Sequence, residues 1–433
     1  MTAITWWQGT LAAALAQAAA QQQPLFLYWG AQWCPPCNRV KSEIFAHSAV
    51  QTLSRQMLCY QLDGDSHGAQ ALAAQLRLRS YPTLVLFAPD GSEITRLPCE
   101  LDGERFAAAL AQALAAHAAG SSAAQAMQAA LSAGRALSVA EWNLLADYSW
   151  DTDEGALLGE RALAPTLLAL LGSGVAEVAA AAAMRLRLHA LLAQASSPEQ
   201  GADLLLAVCA DEAVARANMD ILNNYGIELI KLCARRETVA AALRDRAALW
   251  AQDFWLAAPD KLAAARLQLR MARLLAPSAG LQEVAREQVA AALDAASDGY
   301  QLHTLVNTAV SLLNEAGLGA DAEYLLQSHL PNSHTPFYFM LSLAGSARRR
   351  GDTAAALDWY QHAYETAVGA ATRIQWGVTY LSQLMEQASA DGARIAQARQ
   401  ALLADLATAG ADAQYQRNHA QLQKLARWPQ LGF

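Results

Sequence analysis

Along the first quarter of the chain the apolar positions fall in short runs closed by turn-forming residues. PLFLYWG (24–30) is a continuous apolar run bounded by proline and glycine, which predicts a strand buried on both faces. MLCYQLD (57–63) predicts a second strand, TLVLFAPDGSEITRL (83–97) a hairpin turning on Pro89, Asp90 and Gly91, and ITWW (4–7) a short strand at the start. Between these runs the apolar spacing becomes helical. It does so from Gly9 to Gln23, after Cys34 with Val40, Ile44 and Phe45 on one face, in GAQALAAQLRL (68–78), and in DGERFAAALAQALAAHA (102–118). Strands and helices alternating in this way require a mixed sheet with helices on both faces. The expected fold class of residues 1–118 is α/β.

At AAGSSAAQ (118–125) the pattern changes. Strand signals stop, and residues 119–433 run as Ala, Leu, Gln and Arg at helical spacing, punctuated by Gly, Pro and capping residues. SVAE (138–141) has the form of a capping box, with Ser138 ahead of Glu141. SPE (197–199) and PD (259–260) are similar starts. NEAGLGADAEYLLQSHL (314–330) aligns with RRRGDTAAALDWYQHAY (348–364), placing Gly317 on Gly351, Ala322 on Ala356 and Leu326 on Tyr360, each pair 34 residues apart. A glycine turn, a small residue and a large one four later is how paired helices nest. The unit resembles the tetratricopeptide repeat, which implies an all-α helical-repeat solenoid. Trp142, Tyr148, Trp150, Trp250, Trp255, Trp359, Tyr360 and Trp376 read as helix-packing anchors, some of them candidates for lining a concave partner groove.

Composition narrows the classes. Of 433 residues, 54% are hydrophobic and 16% charged, enough to bury more than one core and unlike a disordered chain. The net charge of −8 argues against nucleic acid or an anionic membrane as partner, and Arg348, Arg349 and Arg350 read as a solvated helix end. ALAPTLLALLGSGVAEVAAAAAM (162–184) is broken by Pro165, Gly172, Ser173, Gly174 and Glu177, so two packed helices are expected there instead of a membrane span. The N-terminus shows no basic region leading into an apolar core. That points to the cytoplasm, with the periplasm as alternative if a signal peptide is missing from the sequence.

Six cysteines in a chain of this size do not make a disulfide framework, and only Cys34 and Cys37, in WGAQWCPPCNRVKSEIF (29–45), have diagnostic spacing. Such a pair is a redox site, half a metal site, or a turn that carries two thiols. A zinc site wants four ligands, and neither a second Cys-x-x-Cys nor a His-x-x-x-His follows, so no metal is expected; His329 and His334 read as loop residues. For redox chemistry the pattern is apt. A strand ending at Gly30 and a helix starting near Pro35 put Cys34 at a helix N-terminus, where unpaired N–H groups and the dipole favour a thiolate. Cys37, one turn on, can resolve a mixed disulfide. Pro35 and Pro36 stiffen the loop without donating to the sulfur, and Trp33 shields one side. The same chemistry requires Cys34 to be reachable.

FLYWGAQWCPPC, then LDGD, then RLRSYPTLVLFAPDG, resembles a thioredoxin-like domain. EIFAHSAVQTLSRQM with ELDGERFAAAL is similar to the thioredoxin-like domain of the disulfide-interchange membrane reductases. The resemblance implies a thioredoxin fold over residues 1–118, catalysis by Cys34 and Cys37, no organic cofactor, a cis Pro82 facing the cysteines, and a Tyr81 backbone offered to a substrate strand. Two positions depart from the pattern. Tyr28 stands where members commonly carry a buried aspartate, and Lys41 where the membrane reductases carry a glutamate. Exchanging two negative charges for a neutral and a positive group predicts a stabilised Cys34 thiolate and a more oxidising disulfide. Cys59, Cys209 and Cys233 read as buried small hydrophobes, and Cys99, on a loop bordering the groove, either as another buried small hydrophobe or as a site of modification or an auxiliary thiol.

The expected function is that of a thiol–disulfide oxidoreductase acting on protein clients and served by an upstream thiol reductase or oxidase. Residues 119–433 would bring clients to the dithiol and raise their effective concentration. The layout is also similar to that of the bacterial chaperedoxins, which implies a second reading: a chaperone-like holdase or scaffold in which the dithiol is accessory. Neither nucleic acid nor membrane is an expected partner.

Overall fold

The structure, a computed structural model, describes residues 3–132, 134–275, 280–296, 299–414 and 416–433. Four strands, β1 (Leu25–Gly30), β2 (Leu58–Asp63), β3 (Thr83–Phe87) and β4 (Glu93–Leu97), form a mixed sheet in the order β2-β1-β3-β4 among the described residues. Every residue of β1 and β3 is buried, as expected of central strands read from continuous apolar runs. β3 and β4 pair antiparallel, Leu84 opposite Leu97 and Val85 opposite Arg96, with a bulge at Leu86/Phe87. Helices α1 (Leu11–Gln21), α2 (Pro35–Arg39), α3 (Ser48–Leu53), α4 (Ala69–Gln75) and α5 (Gly103–Ala118) complete a thioredoxin fold, and the chain beyond is largely helical. The expected strand at ITWW is only a parallel bridge of Trp6 to Cys59, closed by Trp7 N–H donating to the Cys59 carbonyl at 2.8 Å. Gly9, at φ 129°, turns the chain away before a ladder can extend.

The chain divides into two compact units, each drawing on distant parts of the sequence. The first comprises Met1–Tyr28, Asn38–Gln61 and Pro82–Gly317; the second comprises Trp29–Cys37, Leu62–Tyr81 and Leu318–Phe433.

In the first unit Phe26 meets Phe45 and Phe106 edge-on, and Phe45 also meets Tyr28 at 5.1 Å between ring centroids. Asp102 caps α5, accepting from the Glu104 and Arg105 N–H groups. The same carboxylate pairs with Arg216 at 2.6 Å, Arg39 pairs with Asp260 at 2.6 Å, and Arg96 reaches the Thr152 carbonyl. Polar contacts thus tie the sheet region to later helices within this unit. Of those helices, α6 (Val139–Ala146) opens with the expected capping box, and Ser197 makes a second one with Gln200. Two further helices, α7 (Ala180–Leu192) and α8 (Met219–Lys231), are joined by Arg185, whose guanidinium donates to both Asp220 oxygens at 2.9 and 2.6 Å inside the core. Residues 162–184 break at 172–174, as expected, but Pro165 lies within the helix Leu163–Leu171. It sits in the first turn, where a missing N–H costs little. No helix among the described residues is long and apolar enough to cross a membrane.

In the second unit, α9 (Pro336–Arg349), α10 (Thr353–Thr366), α11 (Ala370–Gln387) and α12 (Gln416–Leu422) are the elements that matter for the site. Gly317 and Gly351, aligned in the sequence, adopt the same left-handed turn at φ 80° and 79°. Their companions Ala322 and Ala356 are both fully buried.

Candidate functional site

β1 ends at Gly30, and α2 begins at Pro35, which puts Cys34 on the residue before the helix and Cys37 inside it. Pro35 supplies a ready helical φ at the first position. The helix continues as a π-turn over Val40–Ile44, a widening that the sequence pattern did not signal. The two cysteines are close together. The Cys34 thiol donates to the Tyr81 carbonyl at 3.6 Å. Pro82 is buried and leads directly into β3, while Pro36 is exposed and Pro35 partly so.

Tyr81 is held from several sides. Its ring lies 4.9 Å from Trp29 and 6.0 Å from Trp33, and Gln70 donates to its hydroxyl at 3.2 Å while also donating to the Gly64 carbonyl at 2.7 Å. A Cβ at Gly64 would fall 1.7 Å from that hydroxyl, so only glycine lets the phenol in. Burial pushes the Tyr81 phenol above its ordinary pKa, against the opposing pull of Arg417 and the Gln70 hydrogen bond.

The structure corrects one expectation. Cys34 is 4% exposed and Cys37 is fully buried, so the sulfur is not open to a macromolecular substrate in this conformation. Trp33 was expected to shield one side, but it is itself enclosed. Tyr338 of α9 stacks on it at 6.2 Å and 21°, Trp376 of α11 meets its edge at 5.4 Å, and the Arg417 guanidinium of α12 lies 5.9 Å from its ring. Burial, with the Cys34 sulfur as the second cause, pushes the Tyr338 phenol up to about 12. These residues come from the far end of the chain, and sequence reasoning missed Tyr338 and Arg417. Trp376 carried only the general signal of a helix aromatic.

The remaining expected positions belong to the first unit. Tyr28 is buried against Trp6 and Phe45, and the Lys41 ammonium lies 4.9 Å from the centre of the Tyr300 ring. Cys99 is 9% exposed and donates to Glu100 at 3.0 Å; burial raises that carboxyl above its usual range. Cys59 and Cys209 are buried as expected, which pushes their thiols up to about 12 and about 11, and burial also raises Cys233. Such thiols are poor nucleophiles at neutral pH. Among the described residues no group of three or more His, Cys, Asp or Glu side chains is placed to hold a metal ion.

Comparison with known proteins agrees with this geometry. Residues 11–114 match the family model described as a thioredoxin-like domain. The chain is similar to the thiol:disulfide interchange protein DsbD 1 of Pseudomonas aeruginosa, at 30% identity over 106 residues, 24% of this chain and 18% of that protein. The matched part is thus about a fifth of that relative's length. Together these likenesses support a thiol–disulfide oxidoreductase type of function for the dithiol region.

Proposed function

We propose that the protein is a thiol–disulfide oxidoreductase in which Cys34 is the attacking sulfur and Cys37 the resolving one. The observation that carries this reading is the placement of Cys34 at the start of α2, beside Cys37 and within hydrogen-bond reach of the Tyr81 carbonyl. The Cys34 thiolate attacks one sulfur of a client disulfide, a new S–S bond forms, and the other client sulfur leaves and takes up a proton. Cys37, having lost its proton, then attacks the Cys34 sulfur. The client leaves with both sulfurs reduced, and two electrons have passed from the dithiol, which an upstream thiol reductase restores; an upstream oxidase would drive the reverse direction. No organic cofactor takes part. The helical region after residue 118, read as tetratricopeptide-like, would hold clients or partner proteins, in the cytoplasm or, if a signal peptide precedes the chain, in the periplasm.

The test is insulin reduction by the full chain, together with trapping of mixed disulfides by Cys37→Ser. Turnover that is abolished by Cys34→Ser, and covalent partners that disappear on reduction, are expected. Absence of both in the wild type and in the trap would overturn the reading. The 4% exposure of Cys34 favours a second reading, a holdase or scaffold with an accessory dithiol. In that case suppression of client aggregation would survive Cys34→Ser.

A further inference from the structure

We propose that α9, α11 and α12 form an intramolecular lid over Cys34, with Arg417 as its latch, so that the dithiol meets protein disulfides only after the lid opens. The inference rests on the redox reading of Cys34 and adds a regulation of that site. Three observations within the second unit carry it. First, Trp33 and Cys34 are almost wholly covered, and from α9 and α11 Tyr338 stacks on Trp33 while Trp376 meets it edge-on. Second, Arg417 occupies the segment before Pro82 that a client strand would need. Its guanidinium lies 4.1 Å from the Tyr81 ring centre, one nitrogen donates to the Arg79 carbonyl at 3.4 Å, and another to Gln375 of α11 at 2.8 Å. A client strand pairing at Tyr81 would have to pass Arg417, which holds the Tyr81 ring and the Arg79 carbonyl.

Third, hydrogen bonds made by short side chains fasten the covering region to the 62–81 segment. Asp65 accepts from the Thr372 N–H at 2.8 Å and from its hydroxyl at 2.5 Å, fixing the first turn of α11. Asp412 accepts from the Gly68 N–H at 3.0 Å. Gly369 must be glycine here, because a Cβ would fall 2.2 Å from Asp65 and φ is 97°. Stacked rings and hydrogen bonds of this kind can separate and reform in a local opening.

The experiment measures the alkylation rate of Cys34 in the full chain, read by peptide mass spectrometry, with iodoacetamide and with a polyethylene-glycol maleimide. Wild type is expected to react slowly with both and more slowly with the bulky reagent. Arg417→Ala and, independently, Asp65→Asn should speed the reaction about tenfold or more, as local opening becomes easier. Arg427→Ala, which removes a surface pair with Glu386, should leave it unchanged. Circular dichroism and a melting curve establish that each variant is folded. The lid is refuted if wild-type Cys34 reacts as fast as in urea, or if both folded variants react at the wild-type rate. Faster alkylation without insulin reduction in any variant would keep the lid and sink the oxidoreductase reading; rapid wild-type alkylation with full reductase activity would do the opposite.

Discussion

The corner around Cys34 and the junction of α7 with α8 are both buried, yet they are built from opposite materials. Around Cys34 the contacts are rings on rings, with a guanidinium on top. At the helix junction Arg185 is clamped by Asp220, lies 3.0 Å from Asp147, and donates to the Ala146 carbonyl at 3.1 Å. Burial by itself would raise the Asp220 carboxyl, but Arg185 more than offsets it and holds the pKa below the usual range. Burial and the same guanidinium keep His189 neutral, pushed down to about 3. Removing one partner from such a junction leaves a charge buried and unpaired, whereas removing a ring from an aromatic stack costs apolar burial and packing. The first arrangement rests on paired charges, the second on packed rings.

The largest expected effect breaks the ionic side. Arg185→Leu strands Asp220 and should cost about 3–5 kcal/mol of stability in urea unfolding, while Cys34 alkylation under native conditions stays as in wild type. Next, Gly64→Ala forces the Tyr81 hydroxyl out of its seat. It should cost about 1–3 kcal/mol and, unlike the first change, should alter the Cys34 alkylation rate.

The third prediction concerns a partly solvated ion pair. Hydrogen bonds from Arg135 hold the Glu141 carboxyl far below its usual range; they outweigh burial, with Ser138 and Ser121 assisting. A depressed folded pKa means stability that is present above the unfolded value near 4.3 and lost as pH falls below it. Glu141→Gln should therefore cost about 1 kcal/mol at neutral pH, discounted for solvent around the pair, and the gap to wild type should narrow in unfolding curves taken below about pH 4. The smallest effect is expected of Tyr338→Phe, which keeps the ring on Trp33. Its melting curve should correspond to a loss below about 1 kcal/mol, and Cys34 should alkylate within about twofold of wild type. A large acceleration would mean that the hydroxyl, and not the stack, closes the corner.

Much of this could be read without coordinates. The apolar runs at 24–30 and 83–87 became the fully buried central strands, Ser138 and Glu141 became a capping box, and Cys34 took its place at the start of a helix. Each of these depends on neighbours a few residues away, so the local pattern is enough. ITWW failed as a strand because its pairing had to come from β2, and only one bridge formed.

What the chain alone determined, then, is the α/β-then-α architecture and the chemistry available at Cys34 and Cys37, because period, turn chemistry and side-chain type are properties of short segments. Whether that chemistry is exposed was decided only by tertiary structure. Tyr338, Trp376 and Arg417 carry no spacing that points to Trp33. They reach it through the packing of helices encoded far downstream, and packing is a property of surfaces meeting in space.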